Sequence, residues 1–104
     1  MNKIQENFNY FVEKHEAIYK AYAEYGKLIH EKGGPLDPKM CALIKIAVSS
    51  VGENEYVLET HIKKAVECGC TRDEIEHVML LTAPSVGFPN MMSSLMVLRK
   101  VMEA

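Results

Sequence analysis

ENEYVLETHIKKAVECGCTRDEI, Glu53 to Ile75, reads as a helix, a glycine stop and the start of a second helix. Val57, His61, Ala65 and Cys68 recur at intervals of three or four, the period of one helix face. Asn54 or Glu53 opens this helix, which runs from Asn54 to Cys68, and Gly69 closes it. Thr71-Arg72-Asp73-Glu74 is a capping box, in which hydroxyl and carboxylate each serve the other's backbone N–H. Strand-like alternation is absent.

The same punctuation extends in both directions. In GGPLDP, 33–38, Gly33 or Gly34 suits the left-handed end of one helix, while Asp37 caps the next and Pro38 fits its first turn. Gly52 closes that second helix. Pro84 stops the helix begun at Thr71, and Gly87-Phe88-Pro89-Asn90 turns the chain into a last one. Upstream, Ile18, Tyr22, Tyr25 and Ile29 repeat at helical spacing. The chain is therefore predicted to be all-α, with five or six helices and short connections.

Two of these helices carry more apolar surface than one small monomer can cover. Between Lys39 and Val51 only Lys45 is charged beyond the first residue, and apolar side chains cover most of the circumference. NMMSSLMVLRKVM, near the C-terminus, is similarly wide-faced. A helix apolar all round must be buried all round, and a domain of this size buries only roughly 65% of its unfolded surface alone. Association of subunits is the expected remedy.

Composition excludes several classes. With 48% apolar and 25% charged residues the chain fits a soluble globular protein rather than a disordered one. A net charge of −2 without a Lys/Arg cluster gives no long-range pull on nucleic acid or anionic lipid. HVMLLTAPSVGFPNMM is too short and too broken by proline and glycine to span a bilayer. The N-terminus lacks the order of a secretion signal, so a cytoplasmic location is expected, where three cysteines stay reduced.

Few residues are equipped for chemistry. Cys68 and Cys70 lack the two-residue gap of efficient redox pairs and of most zinc sites. Cys68 lies in a last helical turn, where the dipole disfavours a thiolate. Cys70, just before a helix start and expected to be exposed in a turn, is the better thiol candidate. Cys41 reads as a core filler.

His61 lies on or beside a buried stripe, where an imidazole must satisfy two nitrogens. It is the main acid/base candidate, with His77, just off an apolar stripe, as a second. His30 sits where it complements a helix dipole, and His15 reads as surface. Glu59 and Lys63 form an i,i+4 pair in the favourable order, and Glu55 and Glu59 repel weakly. No phosphate loop, nucleophile elbow or His-x-x-x-His occurs, so neither a metal nor a cofactor is expected.

The run PLDPKMCALIKIAVSSVGENEYVLETHIKKAVECGCTRDEIEHVMLLTAPSVGFPNMMSSL resembles the carboxymuconolactone decarboxylase family, which includes the alkylhydroperoxidase D-like proteins. The resemblance rests on LDPK before an apolar helix, on His61, Ala65 and Gly69 in H-x-x-x-A-x-x-x-G, on T-x-x-E-I at 71–75 and on G-F-P at 87–89. It covers the chain from about Ala21 onward, which makes 1–104 a single family domain with 1–20 as a helical extension. It implies the alkylhydroperoxidase D-like helical fold and a homo-oligomer, a hexamer or alternatively a trimer.

The resemblance also implies what is missing. The redox branch of the family uses a Cys-x-x-Cys, a histidine four residues after it and a glutamate twelve residues before it. On this chain those cysteine positions fall on Asn54 and Val57 and the glutamate position on Ala42; only His61 matches. Thiol reduction of peroxide needs an attacking thiolate, a resolving thiol and a proton relay, and those three residues supply none. Cys68 lies fourteen residues beyond Asn54, roughly 20 Å along a helix, so it is no substitute.

Three readings follow. The first is a cofactor-independent decarboxylase or proton-transfer enzyme acting on a small acidic metabolite, with His61 as acid/base and Arg72, Lys63 or a helix N-terminus holding the anion. The second is a non-catalytic oligomeric binding protein with a structural histidine. The third, weakest for want of the cysteine pair, is a thiol peroxidase.

Overall fold

The computed structural model describes residues 2–52 and 54–103. Among them are six helices and no strand: α1 (Lys3–Lys14), α2 (Glu16–Glu31), α3 (Pro38–Val51), α4 (Glu55–Glu67), α5 (Arg72–Val86) and α6 (Phe88–Met102). The all-α expectation is met. Two compact units divide the chain, Met1–Pro35 and Leu36–Ala104. The first holds α1 and α2, packed through Phe8 and Tyr19, whose ring centroids lie 5.7 Å apart edge to face. Neither of these helices has a buried residue.

The second unit holds the core. Ile46 of α3, Ile62 of α4, Ile75 and Met79 of α5 and Leu98 of α6 are fully buried. Each contributes about 1.5–3 kcal/mol by leaving water. Leu58 and Ala65 join them from α4. The buried register of α4 is thus Leu58–Ile62–Ala65, whereas Val57 and Cys68 of the expected stripe are exposed. The buried face keeps Ala65 of the predicted stripe but takes Leu58 and Ile62 in place of Val57 and His61, so His61 lies on its edge.

Most helix ends match their sequence signals. Asp37 Oδ1 accepts from Met40 N–H at 2.8 Å, and Pro38 occupies the first turn of α3. Asn54 Oδ1 accepts from the N–H groups of Tyr56 and Val57. Glu53, the other predicted opener, lies outside the described residues. Thr71 and Glu74 complete both bonds of the capping box, at 2.8 and 3.1 Å.

Two punctuation signals act differently from expectation. Pro84 does not stop α5; it lies inside the helix, which continues to Val86. Placed in the last turn, it removes a single ladder bond. Gly87 makes the break instead, at φ 97° and ψ 153°, a region open essentially to glycine alone. Gly33 and Gly34 do not take positive φ; among the described residues Gly69 and Gly87 do. What restricts Gly33 is space, because a Cβ there would collide with the carbonyl of Ile29.

Candidate functional site

His61 is half-buried on α4, one turn beyond Leu58. Its ring nitrogens find no hydrogen-bond partner among the described residues. Burial lowers its pKa from the ordinary 6.5, and the positive charges of Lys64 and Lys45 push the same way. The neutral imidazole is therefore the dominant form at pH 7, held beside two cations. Lys64 is three residues along on the same helix; Lys45 arrives from α3, which packs on α4.

Neither lysine was among the residues singled out from sequence. A signal existed for both: Lys64 stands at helical spacing from His61, and Lys45 is the one charge beyond Lys39 in a largely apolar helix. The residues that were expected to hold an anion are engaged elsewhere. Arg72 pairs with Glu103 at 3.0 Å and Lys63 with Glu59 at 3.3 Å. Lys100 approaches Glu55 at 3.7 Å and Glu59 at 3.8 Å, which offsets the repulsion between those carboxylates.

His77 is exposed on α5. His30 donates from Nδ1 to the carbonyl of Gly26 at 2.6 Å in the last turn of α2. His15, exposed at the break between α1 and α2, packs against Phe11 with centroids 5.7 Å apart.

The cysteines separate by environment. Cys70, expected in the open, is only 5% exposed, with Sγ 3.7 Å from the carbonyl of Lys39. The turn that follows Gly69 folds inward, carrying Cys70 into the core. Burial pushes its thiol pKa up and the Glu74 carboxylate adds to the effect, the reverse of what a nucleophile needs. Cys68 is exposed and Cys41 half-buried, its Sγ 3.7 Å from the carbonyl of Leu36. Among the described residues no three His, Cys, Asp or Glu side chains gather closely enough to hold a metal ion.

A well-defined cleft of the second unit lies elsewhere. It has a volume of about 560 Å³ and opens where the end of α3 meets the beginnings of α4 and α6, with Ser49, Ser50, Asn54, Asn90 and Ser94 on its walls. Of the four positions that the family motif would use, only Asn54 borders it; Ala42, Val57 and His61 do not. The paired serines of α3 and α6 were the signal for it, polar residues set into apolar helices.

Fold and site together define a class: an all-helical protein with a half-buried imidazole whose charged form is disfavoured by burial and by two lysines, and with no cysteine pair at the positions the family motif would use. The chain belongs to the carboxymuconolactone decarboxylase family, whose model matches residues 16–100. That span takes in α2 to α5 and nearly all of α6. No curated protein matches the chain.

Proposed function

We propose that this protein is a cofactor-independent enzyme of the proton-transfer or decarboxylase type, acting on a small acidic metabolite with His61 as its acid/base. The observation that carries the reading is a half-buried, unbonded imidazole kept neutral beside Lys64 and Lys45. A structural histidine in a packed core would have both nitrogens bonded to protein; this one has neither.

The chemistry follows from the charges. A substrate carboxylate approaches exposed Lys64, where the fields of Lys64 and Lys45 together favour an anion. Neutral His61 takes a proton from the carbon beside the activated carbonyl, and the C–H electron pair moves into the enolate. The imidazolium so formed is destabilised by the same lysines, which makes it a ready donor when the proton returns to carbon. In a decarboxylation the electron pair comes instead from the C–CO₂ bond, and an imidazolium, protonated beforehand, supplies the proton.

His61→Gln in the purified protein tests this, with acidic metabolites screened for turnover. Wild-type protein is expected to convert at least one, and the variant to lose about 10²–10⁴-fold, the usual contribution of a positioned acid or base. For proton abstraction kcat/KM should rise with pH through a midpoint below 6.5 and stay level above it, because the neutral ring is the active form. Stability has the same sign: the folded pKa lies below the unfolded one, so stability present above pH 6.5 is lost as pH falls towards the folded value. Normal turnover by the variant would remove His61 from the mechanism.

The same protein is proposed to work as a homo-oligomer, a hexamer or alternatively a trimer. Val48 of α3 is 69% exposed and Met96 of α6 73%, with Ile44, Val51, Leu81 and Phe88 also open to water. Apolar patches of that extent mark association surfaces. Light scattering on the eluting protein at micromolar concentration should give a mass of three or six chains; a monomer there would refute the assembly.

A further inference from the structure

We infer that the cleft between the end of α3 and the starts of α4 and α6 is a binding site for a small, neutral, hydroxyl-rich molecule of the polyol or monosaccharide kind, separate from His61. Its volume of about 560 Å³ falls within the roughly 300–1,000 Å³ of small-molecule sites.

The deciding observation is Ser49. This residue is only 8% exposed, yet its hydroxyl has no hydrogen-bond partner among the described residues. No buried side-chain oxygen is sealed away unpaired, so the Ser49 Oγ is reached by solvent through the cleft it borders. Its neighbour Ser50 shows the alternative, donating back to the carbonyl of Ile46 at 2.8 Å. A serine that takes no such bond presents both a donor and an acceptor to whatever occupies the cleft.

Two amides add to it, and their orientation is fixed by the bonds they already make. Asn90 donates from Nδ2 to the carbonyl of Ser50 at 2.7 Å, leaving Oδ1 as an acceptor. Asn54 uses Oδ1 on two backbone N–H groups, leaving Nδ2 as a donor. Donor, acceptor and hydroxyl thus converge on one cleft, while Leu58 and Val97 give it an apolar wall. That combination matches a molecule with hydroxyls along one edge and C–H groups on a face.

Charge decides against the acidic metabolites proposed for His61. Among the described residues no lysine or arginine lines the cleft, and the one ionic side chain there is the Glu55 carboxylate. An anion would find no cationic side chain on the described walls of the cleft, and the Glu55 carboxylate there already takes Lys100 as its counter-charge at 3.7 Å.

Ligand-observed saturation-transfer NMR tests the assignment on the full chain, with sorbitol and glucose as probes and glutarate as the anionic comparison. Transfer to the neutral probes is expected from wild-type protein and about three- to tenfold weaker binding from Ser49→Ala, the worth of one neutral hydrogen bond. Ser49→Val, which also narrows the cleft, should abolish transfer. Circular dichroism confirms that each variant is folded, and Ser49→Ala suffices if the valine variant is not. No transfer to either neutral probe, or transfer unchanged in Ser49→Ala, overturns the site. A preference for glutarate that Ser49→Ala removes overturns the ligand class.

Discussion

The α1–α2 pair leaves its apolar residues on the surface, whereas α3–α6 gathers its own into a core. Both regions are helices with short connections, and the sequence marked out α3 and α6 by their wide apolar faces. Yet Tyr22 of α2 is 70% exposed and Ile62 of α4 fully buried. Two helices can cover one seam between them, while four can surround a centre, so the larger unit excludes water where the smaller one cannot. The stripe of Ile18, Tyr22, Tyr25 and Ile29 on α2 stays exposed.

Ile62→Ala should have the largest effect, a loss of about 2–5 kcal/mol in urea unfolding, because it empties the centre of the packed unit. A loss below about 1 kcal/mol would show a core loose enough to collapse around the gap, and the contrast with α1–α2 would weaken. Gly87→Ala comes next, at about 1–3 kcal/mol, since alanine strains at the backbone angles that turn α5 into α6. Its effect sharpens the contrast by showing that the four-helix unit depends on its turn as well as its core. Tyr22→Ala should matter least, under about 0.5 kcal/mol at concentrations where the chain is monomeric. A cost there as large as that of Ile62→Ala would break the comparison outright.

Much of this fold was legible because helix punctuation is local. Asp37, Asn54 and Thr71 act on N–H groups within three residues, so their caps need no knowledge of the rest of the chain. Pro84 misled because a proline's effect depends on its place in the helix: in a last turn one missing bond is tolerable, and the break moves to Gly87. The site was half legible. His61 stood out, but its electrostatic setting depends on Lys45, sixteen residues earlier, being brought beside it by packing. The serine-lined cleft needed the ends of three helices to meet, a juxtaposition no spacing rule encodes.

Sequence by itself determined the helices, their caps, the family and the absence of a cysteine pair at Asn54 and Val57. These are properties of short segments or of residue identity, readable wherever the chain goes in space. The tertiary structure alone decided that Cys70 is buried with its thiol pKa pushed up, that α4 turns Leu58, Ile62 and Ala65 inward while His61 stays at the edge, and that Ser49 keeps an unspent hydroxyl beside a cleft. Burial and field are sums over neighbours distant in sequence, and only packing chooses those neighbours.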